Sequence, residues 1–229
     1  MDISPKLKFC CFFLLIVAAA VIRSPAGDIE KERNPRTNAG TKTKPQVKRV
    51  LLLGDSIAAG YAPTVRRLLE GEAHVIGVPK GGHMTNVALQ NFNDLIGNEK
   101  WDVVHFNWGL NDLEGRRISL DQYANNLHEL VARLKRTGAK LIWCSTTPVP
   151  TGKVSSPRNY KDVPAYNEVA KKIMVENGIA IDDLYELALP RLAEIQLKED
   201  VHFTEMGYSV LGERVARHIR QALAMVTSP

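Results

Sequence analysis

Short runs in which nearly every position is apolar alternate along this chain with longer stretches in which apolar residues recur every three or four positions. The continuous runs are 47–53 (VKRVLLL), 73–78 (AHVIGV), 101–107 (WDVVHFN), 139–146 (AKLIWCST) and a short 178–182 (GIAID). Strands covered on both faces read this way, because neither side of the pleat is left to water. The periodic stretches are 63–71, 85–97, 120–137, 162–177 and 204–225. In the third, Leu120, Tyr123, Leu127, Leu130, Val131 and Leu134 share a helical face that ends at Gly138. The first helix is expected to begin near Pro63, leaving Ala58, Ala59 and Gly60 as small residues around the Ser56 hydroxyl. Alternation of this kind predicts one α/β domain, residues 47–229, built on a parallel sheet with right-handed crossovers. No internal repeat and no second domain is visible.

In such sheets, ligands bind beyond the carboxyl ends of the strands. Four segments fall there: Gly54-Asp55-Ser56, Gly81-Gly82, Gly109-Leu110-Asn111-Asp112 and Thr146-Thr147-Pro148. All four are expected to open on one edge of the sheet.

Ahead of the domain the pattern changes. Lys6 and Lys8 precede an apolar run, residues 9–22, and Ser24-Pro25-Ala26 follows it. A basic start, a short apolar run and small residues predict a cleaved signal peptide over residues 1–26. The run is shorter than the ~20 residues that span a bilayer, so a secreted or periplasmic protein is expected, with no stable membrane insertion after cleavage; an uncleaved anchor is the alternative. Residues 27–46 are polar, contain Pro and Gly, and read as a flexible linker. Cleavage leaves Cys144 alone, so no internal disulfide staples the domain.

The charge balance excludes one partner class. The whole chain carries a formal net charge of +5, but from Val47 onward 22 Lys and Arg face 21 Asp and Glu. The excess lies in the leader and linker, and no aromatics are interleaved with it to stack bases. Nucleic acid is not expected as a partner.

Chemistry then rests on a few residues. Ser56, directly after a buried strand, either caps a helix or serves as a nucleophile, and a nucleophile needs a base. His128 and His218 read as structural or solvated, and His105 as a core residue. His74 and His83 lack the partner spacing of a metal site, so no metal and no cofactor is expected. His202 differs, because Glu199 and Asp200 precede it and a helix opened by Thr204 and Glu205 follows. A carboxylate beside the base fixes its tautomer and stabilises the imidazolium. Asn111 offers a side-chain amide, and the Gly81-Gly82 segment offers backbone N–H groups, for negative charge that develops on a carbonyl oxygen. The same glycines fail as a phosphate loop, since His83-Met84 stands where Lys-Ser/Thr would be.

These blocks, in this order, resemble the SGNH (GDSL-type) hydrolase superfamily over residues 47 to 225. Gly54-Asp55-Ser56 resembles the block that carries the nucleophile. The segment PKGGHMT resembles the second block, whose glycine lines the oxyanion hole: Gly82 is the match, with Gly81 its neighbour. Gly109-Leu110-Asn111-Asp112 matches G-x-N-D, whose Asn donates to the oxyanion. Asp200-Val201-His202 is similar to the last block, which carries the base. Two departures stand out. Lys80 holds a place that is often Asn, and the acid is usually three residues before the histidine, where this chain has Glu199. Asp200 keeps the residue type and is the expected acid, with Glu199, which keeps the spacing, as the alternative.

The resemblance implies a three-layer α/β/α sandwich around a five-stranded parallel sheet, flavodoxin-like in strand order. It also implies a secreted serine esterase with Ser56, His202 and an acid as catalytic residues. Ser56, Gly82 and Asn111 would form the oxyanion hole. Without a long apolar lid, short acyl groups on carbohydrate are the expected substrates, acetyl first. Trp108 and Arg158, the latter beside Asn159 and Tyr160, could contact a sugar. The same residues would also serve a lysophospholipase, a thioesterase or an O-acyltransferase, and a glycan-binding module that lacks catalysis could keep the fold.

Overall fold

Leucine and valine dominate the first strand, β1 (Lys48–Leu53), and Val50 to Leu53 are at most 2% exposed. Burying each such side chain stabilises the fold by about 1.5–3 kcal/mol, which places this strand inside the sheet. In the computed structural model, which describes residues 47–77, 83–113, 118–152, 154 and 158–226, β1 lies between β2 (Ala73–Gly77) and β3 (Val103–Phe106). β4 (Lys140–Cys144) and β5 (Ala180–Asp182) follow, in the order β2-β1-β3-β4-β5, and every pairing is parallel. This is the expected flavodoxin-like order. Its switch point lies between β1 and β3, where a crevice opens at the strands' carboxyl ends. The apolar leader, the linker and both Gly81 and Gly82 lie outside the described residues.

Helices cover both faces. On one lie α1 (Ser56–Leu68) and α8 (Glu205–Ala224); on the other lie α2 (Thr85–Gln90), α4 (Leu120–Lys135) and α5 (Val163–Glu176). α4 buries Tyr123, Leu127, Leu130, Val131 and Leu134, as its periodicity predicts, and Ser119 caps it by accepting from the Gln122 N–H at 3.2 Å. The predicted helix 85–97 is two helices, α2 and α3 (Phe92–Ile96), because Asn91 leaves helical geometry between them. Two short helices, α6 (Leu184–Ala188) and α7 (Leu192–Ile195), occupy a stretch for which the sequence predicts no element.

The start of α1 is a correction. It begins at Ser56, not near Pro63, because the Asp55 side chain caps it by accepting from the Ile57 N–H at 2.9 Å. Ile57, Ala58, Tyr61, Ala62 and Val65 then form its buried stripe. Pro63 sits inside the helix and deprives the Ala59 carbonyl of its partner. Both residues are exposed, so that carbonyl lies where solvent can serve it. α1 and α8 pack unusually closely. A Cβ at Gly60 would run into the Tyr208 ring, and one at Gly212 would meet Thr64 side-chain atoms at 2.7 Å.

α8 also closes a buried charge cluster against the sheet. Asp182, at the end of β5, is fully buried. Its carboxylate lies 3.3 Å from His105 Nε2 and 3.0 Å from His218 Nδ1, and accepts from Arg214 Nε at 3.1 Å. Burial alone would raise its carboxyl, but the two histidines outweigh burial and hold it well below the usual carboxylate range. A carboxyl held that low contributes stability above the unfolded aspartate value of about 3.9, and loses it as pH falls below. Asp182→Asn strands this cluster, and should cost about 3–5 kcal/mol in urea unfolding at pH 7. The gap between variant and parent should narrow as the buffer is taken below about pH 4.

Candidate active site

Ser56 occupies the first position of α1, just past the carboxyl end of β1. Asp55 Oδ1 consumes the Ile57 N–H, whereas the Ser56 N–H has no protein acceptor among the described residues. The positive end of a 13-residue helix therefore presents an uncommitted donor beside the serine hydroxyl. Asp55 itself is 4% exposed. Burial pushes its carboxyl up, while the Ile57 and Ala58 N–H groups and the charge of Arg158 pull the other way. Among the described residues its Oδ2 has no partner. It borders a cavity of about 10 Å³ lined also by Ile57, Asn107, Leu110 and Thr147, with room for about one water.

His202 comes from the far end of the chain, on the loop that leads into α8. That loop is pinched shut by an isolated bridge between Gln196 and Phe203, and the Leu197 N–H donates to the His202 carbonyl at 2.9 Å. Gln196 Nε2 ties it to the next strand end by donating to the Pro148 carbonyl at 2.8 Å and to the Val201 carbonyl at 3.2 Å. So held, His202 Nε2 lies 2.8 Å from Ser56 Oγ, across 146 residues of sequence. Its Nδ1 lies 2.7 Å from Asp200 Oδ1, which also accepts the His202 backbone N–H at 3.0 Å. A carboxylate only accepts, so the hydrogen of the neutral ring belongs on Nδ1 and Nε2 is left as an acceptor facing the Ser56 hydroxyl. The His202 backbone N–H, foremost, holds the Asp200 carboxyl below its ordinary range. Glu199 is exposed, takes a left-handed backbone (φ 56°) at the turn and makes no bond to His202. A two-residue spacing suffices because the carboxylate folds back over its own loop.

The third block lies beside this pair. Leu110 shares a cavity wall with Asp55 and Ile57. Gly109 lets the loop press against the end of β4, where a Cβ would run into the Thr146 hydroxyl. The Asn111 amide is held at both ends: Nδ2 donates to the His83 carbonyl at 3.2 Å, and Oδ1 accepts from Arg158 Nη2 at 2.9 Å. Asp112, which the sequence reading did not single out beyond its block, caps α2 from a distance. It accepts from the Thr85 N–H at 3.0 Å and the Thr85 hydroxyl at 2.5 Å. Met84, at that helix's own cap position, supplies no side-chain bond. Burial lifts the Asp112 carboxyl to about 6 despite those bonds. Its role as the cap of α2 exists only in the folded chain, because 27 residues separate it from Thr85.

The expected sugar-contacting residues fare differently. Trp108 is 1% exposed and packs its ring 5.5 Å from that of Phe106, so it belongs to the core and offers no face to a ligand. Arg158 directs its guanidinium to the Leu110 carbonyl and Asn111 Oδ1. Tyr160 is 41% exposed, with Lys161 Nζ 5.8 Å from its ring centre.

Residues 52–210 match the model of the GDSL-like lipase/acylhydrolase family, a span that holds every block described above. Among solved structures, a lipase/acylhydrolase from Enterococcus faecalis is 25% identical, with a TM-score of 0.68 over 76% of this chain and 96% of that one. An acetyl xylan esterase is 20% identical, with a TM-score of 0.65 over 75% of this chain and 99% of that one. An acetylxylan esterase from Geobacillus stearothermophilus is 20% identical, with a TM-score of 0.62 over 75% and 94%. At that identity the two esterases establish the fold alone. No curated protein is a significant match by sequence. With a parallel sheet in flavodoxin order, a serine at its switch point and a family match over most of the domain, the chain belongs to the GDSL-like lipase/acylhydrolase family and is an ester-hydrolysing enzyme.

Proposed function

We propose that this enzyme is a secreted serine esterase that removes short acyl groups, acetyl first, from carbohydrate. The observation that carries the mechanism is the continuous chain from Ser56 Oγ through His202 to Asp200, at 2.8 and 2.7 Å. Ser56 Oγ attacks the ester carbonyl carbon as its proton passes to His202 Nε2. The Ser56 N–H, the Asn111 Nδ2–H and the Gly82 N–H receive the charge that forms on the carbonyl oxygen. As the intermediate collapses, the C–O bond to the alcohol breaks and the imidazolium returns its proton to the leaving oxygen. Water, deprotonated by the same imidazole, then attacks the acyl-enzyme and frees the acid and Ser56. Asp200 remains ionised throughout and stabilises the imidazolium.

Two features support the substrate class. Ser56 is exposed, so a bulky alcohol such as a polysaccharide can approach it. Two structurally similar proteins are acetylxylan esterases. Secretion rests on the apolar leader, and a mature N-terminus just after Ala26 should be found on the exported protein by N-terminal sequencing.

Purified enzyme should hydrolyse p-nitrophenyl acetate faster than longer p-nitrophenyl esters, release acetate from acetylated xylan, and lose both activities in Ser56→Ala. Equal rates for parent and variant would remove the serine from the mechanism. Asp200→Asn should lower kcat by on the order of 10³–10⁴, whereas Glu199→Gln should leave it unchanged; the reverse order would reassign the acid. Because Asp200 is held low, it stays ionised in mild acid. Acidification in that range should therefore add no Asp200 proton to the loss of kcat/KM, and the limiting slope on a logarithmic plot should not exceed about one.

A further inference from the structure

An asparagine can help an oxyanion only if its amide faces the site nitrogen-first. The two ends of that amide are sterically alike, so something chemical must choose between them. Here two neighbours choose, and they agree. The Arg158 guanidinium carries donors only and meets Asn111 Oδ1 at 2.9 Å, while the His83 carbonyl accepts only and meets Nδ2 at 3.2 Å. Rotating the amide by half a turn would set donor against donor and acceptor against acceptor. Nδ2 has two hydrogens, and one remains after His83 is served.

We propose that Arg158 is a positioning residue of the esterase reaction, which fixes the orientation of the Asn111 amide so that its second N–H is held ready for the carbonyl oxygen of the substrate. The inference rests on the serine-esterase reading above. Arg158 Nε also donates to the Leu110 carbonyl at 2.8 Å. One rigid fork therefore grips the backbone of residue 110 and the side chain of residue 111. That couples the amide to the loop that carries it. A lysine ammonium has no planar fork and cannot make the two bonds in fixed relation. The guanidinium charge behind Oδ1 also polarises the amide, which strengthens Nδ2–H as a donor where negative charge develops. A segment 47 residues away in sequence thus tunes the third block.

A double-mutant cycle on the full enzyme tests this. kcat and KM for p-nitrophenyl acetate are measured for the parent, Asn111→Ala, Arg158→Met and the double variant, with Arg158→Lys as a milder change and Ser56→Ala as the zero. Asn111→Ala should lose about 10²–10³ in kcat. Arg158→Met should lose about 10- to 100-fold in kcat with KM within about twofold, as expected for a misplaced donor. In the Asn111→Ala background, the same change should cost less than about twofold more, because there is no amide left to orient. Arg158→Lys should fall between parent and Arg158→Met, and thermal unfolding midpoints identify any variant that fails to fold. If Arg158→Met proves misfolded, Arg158→Lys in the two backgrounds decides by the same comparison.

A full loss retained in the Asn111→Ala background would overturn the proposal, as would an effect confined to KM, which would mark Arg158 as a substrate contact. An Asn111→Ala enzyme as fast as the parent would also overturn it. Equal rates for parent and Ser56→Ala would bring down the serine-esterase reading and this inference together. An active parent, a dead Ser56→Ala and an unaffected Arg158→Met would bring down this inference alone.

Discussion

The close approach of α1 and α8 is the constraint on which the site depends. Ser56 opens α1 and His202 directly precedes α8, so these two helices decide whether hydroxyl and imidazole meet. Gly60 and Gly212 remove two Cβ atoms from the contact, and the Tyr208 ring and Thr64 side chain fill the space. A side chain at either place would part the helices by more than a hydrogen bond tolerates, because Ser56 Oγ and His202 Nε2 stand only 2.8 Å apart. Parallel β1 and β3 then bring the third block alongside, at the switch point of the sheet.

Buried carboxylates hold the surrounding loops, each by a different device. Asp55 caps the helix that carries the serine and borders the small cavity. Asp112 caps α2 from another loop and so ties the third block to the residues that follow the second. Asp182 sits between His105, His218 and Arg214, and anchors α8 to the end of β5. The first two keep raised carboxyls because burial outweighs their donors, whereas the third is surrounded by cationic or donating groups that outweigh its burial. The opposite shifts follow from neighbours, not from depth.

Much of the fold was legible because its information is local. Continuous apolar runs mark strands buried on both faces, and three- and four-residue recurrence marks α4, α5 and α8 within a residue or two of their ends. The start of α1 departs from the expectation because Pro63 looks like a boundary, and the competing signal, Asp55 as a cap, is a single side chain whose bond exists only once the turn has formed. The break at Asn91 and the short helices between Leu184 and Ile195 were missed for a related reason. Such pieces are too short for periodicity to register and are held by tertiary packing.

By itself the sequence determined the residue types and their order: a serine after the first strand, a G-x-N-D loop after the third and a histidine before the last helix. Those are chemical identities carried by single positions. Only the tertiary structure decided which carboxylate meets His202, because Glu199 and Asp200 are adjacent in sequence and differ in backbone direction at a tight turn. Only it sent Trp108 into the core and turned Arg158 towards Asn111. Which way a side chain points is set by what packs around it, and those neighbours come from segments tens to hundreds of residues away.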